Sequence, residues 1–184
     1  MTSLKSFLFQ VTGVVMAVTF LLPAATMAAS LDDEATAALN VLTGRYPAAA
    51  DLSKRAKAVL VFPKITKAGL MIGGESGNGV MRANGRTIGY YNTSGVSYGL
   101  QIGAQQYGYA LFLMSDKAVK AIGTAEGFEV GVGPSVVMMD EVALAKKTTT
   151  TTAQDDIYAF VFGQKGVMAG AGIQGSKITK IKKP

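Results

Sequence analysis

The sequence predicts an α+β domain, with N-terminal helices packed on a mostly antiparallel, strongly curved, glycine-rich sheet. Three observations predict it. Apolar residues recur at helical spacing just after residue 30, then switch from Ala58 onward to short β-branched and aromatic runs. Glycines fall inside those runs, at Gly73, Gly89, Gly99, Gly103, Gly131 and Gly170. Glycine within a strand marks a bulge, a bend or the close approach of another backbone. Charged residues make up only 16% of the chain, which suits a sheet with many tight turns. A curled sheet or partial barrel is expected, and the pattern leaves strand order open.

The elements follow in order. Leu31, Ala35, Ala38, Leu39 and Leu42 share one helical face, so Leu31 to Leu42 reads as a helix. Ser30 or Asp32 can cap it, and Asp33 and Glu34 suit its positive end. Pro47 opens a second short helix over about Ala48 to Lys57. Val59 to Phe62 is an apolar strand stopped by Pro63, and Gly69 to Gly73 is the next. Gly79 to Arg82 and Thr87 to Tyr91 flank Asn84-Gly85, a hairpin signal because both residues tolerate positive φ. Val96 to Tyr107 and Tyr109 to Met114 follow as strands. Ser115-Asp116 caps a helix through Ile122. Phe128 to Val132, Val136 to Val142, Ile157 to Phe162, Val167 to Ile173 and Lys177 to Ile181 complete the strands. Thr148 to Thr152, with Ala153 to Asp156, reads as a polar loop or the start of a strand.

The first segment is a targeting signal rather than part of the fold. Lys5 gives a positive start, Phe7 to Leu22 is apolar, and Pro23 precedes the small residues Ala24 to Ala29. That is the layout of a cleaved secretory signal peptide over residues 1–28, with cleavage after Ala28 or Ala29. The apolar core is short for a span, which takes about 20 residues. A retained anchor is the alternative. Residues 29–184 then form a single domain, long enough to bury its own core. Removing Lys5 takes the formal charge from +6 to +5, a basic balance compatible with anionic partners or with solubility alone. Export argues against nucleic acid.

The chain has no cysteine and no histidine. That excludes a lipidated cysteine, disulfides, thiolate zinc sites, thiol nucleophiles and any histidine-based triad. Gly95-Val96-Ser97-Tyr98-Gly99 matches G-x-S-x-G, but its serine has no imidazole to take the proton. Gly170 to Gly175 matches G-x-G-x-x-G, yet only nine residues follow, so the helix and distant acid of a dinucleotide site have no room. The acidic groups Asp32-Asp33-Glu34, Asp140-Glu141 and Asp155-Asp156 lack calcium-loop spacing and read as caps or solvated turns. Glu75 sits among Gly73, Gly74, Gly77 and Gly79, as a turn residue or a partly buried acid. No catalytic residue, metal ligand or cofactor is expected, and the chain reads as a non-enzyme.

Basic residues form two groups: Lys54, Arg55, Lys57, Lys64 and Lys67, then Lys177, Lys180, Lys182 and Lys183. Near an anionic membrane each such residue contributes about 1 kcal/mol. Two solvated faces would look the same in sequence. Phe62, Tyr90, Tyr91 and Tyr98 are candidates for lipid insertion or for core.

Ala58 to Ile65, Lys67-Ala68-Gly69, Gly73 to Val80, Gly89 to Thr93, Ser97 to Gln105, Phe112 to Asp116, Val130-Gly131-Val132 and Gly175-Ser176-Lys177-Ile178 follow one another along the chain. Taken in that order, they resemble the SYLF family of lipid-binding domains. The resemblance covers Leu31 to Ile181. Gln174 stands where many members carry an acid, and Gly172 where a larger residue is usual. The resemblance implies binding of phospholipid head groups and no catalysis. For an exported bacterial-type chain it implies a periplasmic or peripherally membrane-associated domain. That domain docks on anionic lipid, such as phosphatidylglycerol or cardiolipin, through the nine basic residues. The alternative is an envelope protein whose partner is another protein or a cell-wall polymer.

Overall fold

The computed structural model describes residues 29–70, 72–98, 103–124, 126–129, 136–139, 156–163 and 176–184. Residues 1–28, the Thr148 to Thr152 run, Asp140-Glu141, the expected strand Val167 to Ile173 and the Gly170 to Gly175 motif lie outside the described residues.

Two helices open the fold, α1 (Leu31–Arg45) and α2 (Pro47–Arg55). The Ser30 side chain accepts from the Asp33 backbone N–H and caps α1, with Asp32, Asp33 and Glu34 in its first turn. Pro47 sits in the first turn of α2, where its missing N–H costs nothing. Strands β1 (Ala58–Leu70), β2 (Ile72–Ala83), β3 (Arg86–Tyr98) and β4 (Gly103–Leu113) follow. Then come α3 (Asp116–Ile122), β5 (Phe128–Glu129), β6 (Val136–Met139), β7 (Ile157–Phe162) and β8 (Lys177–Ile181). The eight strands form one sheet in the order β5-β8-β3-β2-β1-β4-β7-β6. It is a curled half-barrel, antiparallel except for the β6–β7 pair. The α+β expectation holds.

Neither Pro63 nor Gly108 ends a strand, contrary to the sequence reading. Val61 pairs with Val80 and Thr66 with Ser76, so β1 carries one extra residue between them. The β1–β4 register shifts at the same place, between Phe62 and Ile65. Pro63 therefore sits in a bulge, where its missing donor breaks no ladder bond. The bulge crowds both neighbouring strands. A Cβ at Gly77 on β2 would lie 2.5 Å from the Lys64 carbonyl oxygen, and one at Gly108 on β4 would lie 2.8 Å from that of Pro63. Glycine lets the neighbours pass, so β4 continues through Gly108. The hairpin joining β2 to β3 is as expected, with φ of 50° at Asn84 and 74° at Gly85.

Side chains alternate across the sheet and build two apolar layers. Val59, Val61, Val80, Ala110, Phe112 and Phe160 pack under α1 and α2 with Leu42 and Leu52. Leu60, Phe62, Ile65, Met81, Tyr109, Leu111 and Ile178 form the other layer, closed by Ala118 and Ile122 of α3. Phe62 and Tyr91 are buried there, 0% and 3% exposed, so neither is an insertion residue. Tyr98 has no described side chain. Tyr90 is half-buried and donates its hydroxyl to Asp32 at 2.7 Å.

Asp32 clamps α1 to the sheet. Besides Tyr90 it accepts from the Thr87 hydroxyl at 2.6 Å, and Lys183 lies 3.7 Å away. The Thr87 and Tyr90 donors, with the Lys183 charge, hold the Asp32 carboxyl below the usual carboxylate range. A lowered native pKa gives stability that is present above the unfolded value, near 3.9, and lost as pH falls through the native one. Asp32→Asn is therefore expected to melt at lower temperature than the parent at neutral pH. The two melting curves should converge as acid titrates the parent's carboxylate below about pH 3.9. Thermal melts across pH check this, and a constant difference down to strong acid would remove the clamp.

Candidate functional site

The basic residues named from the sequence do not form one patch. Lys54 and Arg55 end α2, and Lys57 follows with its N–H bonded to the Leu113 carbonyl, so all three lie where β1 begins. Lys64 lies in the bulge, about 20 Å further along at 3.3 Å per residue. Lys67 pairs with Glu75 on the α3 side of the sheet. Lys177 pairs with Ser94 and Lys180 with Tyr91, three residues apart on β8 and therefore on opposite faces. Lys182 and Lys183 form the tail, where Lys183 also lies over the Tyr90 ring at 5.7 Å. All are exposed except Lys67, which is half-buried.

The structure instead gathers a polar cluster around Glu75. Alternation along β2 puts Glu75 on the α3 face, just beyond the end of the apolar layer. It is 7% exposed. Its Oε2 accepts from the Tyr107 hydroxyl at 2.9 Å, and its Oε1 from the Ser176 hydroxyl at 2.7 Å. Beside it the Tyr109 hydroxyl donates to Thr93 at 2.8 Å. Burial raises the Tyr107 pKa far above the usual tyrosine value, and the charge of Glu75 adds to that. Burial likewise raises that of Tyr109. Both phenols stay protonated and act as donors. Gly95 on β3 leaves room for this network, since a Cβ there would stand 3.1 Å from Ser176 Oγ and 3.2 Å from Glu75 Oε1.

Strand register extends the cluster sideways. Gly95 pairs with Glu75, Glu75 with Lys67, and Lys67 with Gln105. This makes one cross-strand row over β3, β2, β1 and β4. The next row outward on the same face holds Gly73, Gly69 and Gly103. Four separate segments of the chain thus meet: Lys67-Ala68-Gly69, Gly73-Gly74-Glu75, Gly103-Ala104-Gln105 and Ser176. Each was visible as a short motif, and only pairing shows that they are neighbours.

Sequence reasoning left Glu75 open between turn and buried acid, and the burial decides for the acid. Tyr107, Thr93 and Ser176 were not singled out as site residues. They lie on β4, on β3 and just before β8, so only strand pairing relates them to Glu75 on β2. The G-x-S-x-G match at Gly95 to Gly99 begins inside β3, and the next described element is strand β4 rather than a helix. Among the described residues no three of His, Cys, Asp or Glu gather into a metal-binding group.

Residues 94–183 match the family model of Ysc84, described as Las17-binding protein actin regulator. The matched part runs from the second half of β3 into the basic tail, and includes Gln105, Tyr107 and Ser176. None of the curated proteins matches the chain.

Proposed function

We propose that this chain, which belongs to the Ysc84 or SYLF family through residues 94–183, is a non-catalytic domain that docks on anionic phospholipid. The family is one of lipid-binding or actin-regulator-like domains. The observation that carries the proposal is that family membership. Eight exposed basic residues, Lys54, Arg55, Lys57, Lys64, Lys177, Lys180, Lys182 and Lys183, support it, with the half-buried Lys67 as a ninth. They are spread over several surfaces, so docking would be electrostatic and reversible, each residue adding about 1 kcal/mol before screening. The setting proposed is the bacterial envelope, reached by export and cleavage of residues 1–28, with phosphatidylglycerol or cardiolipin as the lipid.

The test is flotation of the chain from Ala29 onward, which holds every described element of the fold, with neutral and with anionic vesicles. Binding only to anionic vesicles, falling as salt rises, is the expected result. Charge reversal of Lys54, Arg55 and Lys57, or of Lys180, Lys182 and Lys183, should weaken it severalfold. Binding that ignores both sets would overturn the assignment of the basic residues. A second reading is favoured by the family description itself, which names binding of a protein. Absence of vesicle binding together with recovery of a stoichiometric envelope protein partner would select it.

A further inference from the structure

We propose that the row containing Lys67 and Gln105 is a binding site for a phosphate ester, with Lys67 as the group that holds the phosphate. This rests on the lipid-docking reading only for the source of the ester, a phospholipid head group. The chemistry would be the same for a free phosphorylated solute.

The argument begins with the two charges. Lys67 and Glu75 are register partners on one face of the sheet, yet no ion pair joins them among the described residues. The geometry supplies the reason. Each oxygen of Glu75 is already taken by a hydroxyl donor, Ser176 on one and Tyr107 on the other. The carboxylate is thereby turned into the fold and held there. Lys67 is half-buried, and among the described residues its ammonium enters no ion pair. A cation partly removed from water and not held in an ion pair favours an anion from outside.

The neighbours suit a phosphate ester better than a bare ion. Gln105, on β4 directly opposite Lys67, brings an amide donor to the same face. Outward of the pair lie Gly69, Gly73 and Gly103, with no side chains to obstruct a ligand over the strands. The buried carboxylate at the inner end sets a direction, because it repels the phosphate toward Lys67 and the glycine row. The site would select for a phosphate carrying a small polar group, while the exposed lysines supply attraction that does not discriminate.

The experiment titrates glycerol 1-phosphate and inorganic phosphate into residues 29–184, followed by amide NMR, beside flotation with phosphatidylglycerol vesicles. Lys67→Ala, Lys67→Arg and, as a control, Lys120→Ala, which alters an exposed lysine of α3 outside the nine basic residues, are compared. The expected result is that glycerol 1-phosphate shifts the amides of Lys67 and Gln105. Its affinity should fall roughly ten- to hundred-fold in Lys67→Ala, the usual worth of a charged hydrogen bond. Lys67→Arg should restore most of it, and Lys120→Ala should leave it unchanged. Equal binding to the parent and to Lys67→Ala, or no glycerol 1-phosphate binding at all, overturns the site. Vesicle binding indifferent to Lys67 together with either of those results sinks the site and leaves lipid docking standing. Glycerol 1-phosphate binding that needs Lys67, without any vesicle binding, does the reverse. It keeps the phosphate site, with a soluble ester as ligand, and removes lipid docking.

Discussion

Alanine at Gly77 is expected to destabilise the domain by about 3 kcal/mol or more, the upper range for overpacking. For a domain of this size that is a fall in Tm of roughly 6–12 °C. The new Cβ would stand 2.5 Å from the Lys64 carbonyl oxygen, 2.8 Å from Ile65 Cγ1 and 3.0 Å from Ile65 Cα. Two of those three atoms are backbone, so no rotamer change relieves the contact. Relief requires β1 and β2 to separate where the bulge already interrupts their ladder. Gly74, three residues earlier on the same strand, has nothing within 4 Å of its Cβ position. Gly74→Ala should therefore lie within about 0.5 kcal/mol of the parent. Denaturant unfolding of the two variants measures the contrast. Similar stabilities for both would mean that the bulge at Pro63-Lys64 is placed wrongly.

Removing the Glu75 side chain is the second large effect. Glu75→Ala leaves the buried hydroxyls of Tyr107 and Ser176 without their carboxylate acceptor. A hydrogen bond to a charged group is worth about 1.5–3 kcal/mol, so the expected loss is about 3 kcal/mol. The loss should be local in origin. Ser176 immediately precedes β8, and its hydroxyl bond to Glu75 spans 101 positions of sequence. Amide exchange should accordingly rise first in β8 and in the facing residues Tyr90 to Ser94 of β3. Glu75→Gln keeps one acceptor oxygen and should cost less than half as much. If Glu75→Ala unfolds with parental stability, or if protection is lost uniformly, Glu75 is not the residue that fastens β8.

These two residues also show why part of the site was illegible beforehand. Strands read from sequence depend on unbroken alternation, and a bulge resets that alternation without leaving a local mark. Pro63 looked like a strand end because proline cannot donate to a ladder. It lies instead at the one place in β1 where the ladder is already interrupted. Beyond it the inward positions move from Leu60 and Phe62 to Ile65 and Lys67. A reader without that one-residue shift assigns Lys67 to the wrong face and never sets it beside Glu75. The spatial arrangement of the basic residues was illegible for a different reason. Nearness in sequence put Lys64 with Lys57, whereas an extended strand carries them about 20 Å apart.

What the sequence determined by itself is everything that local chemistry governs. Helical spacing and the Ser30 and Ser115 caps set α1 and α3. The Asn84-Gly85 pair set the hairpin, because only residues tolerant of positive φ fit there. The same residues gave the fold class and the family resemblance, and the absent cysteine and histidine removed whole classes of chemistry. The tertiary structure alone decided what depends on pairing between distant segments. It placed β8 beside β3, buried Glu75 under Tyr107 and Ser176, and set Lys67 against Gln105. Strand order and register are settled by the summed packing of two apolar layers across the whole sheet. No window of a dozen residues contains that sum, so the site it creates becomes visible only once the sheet is assembled.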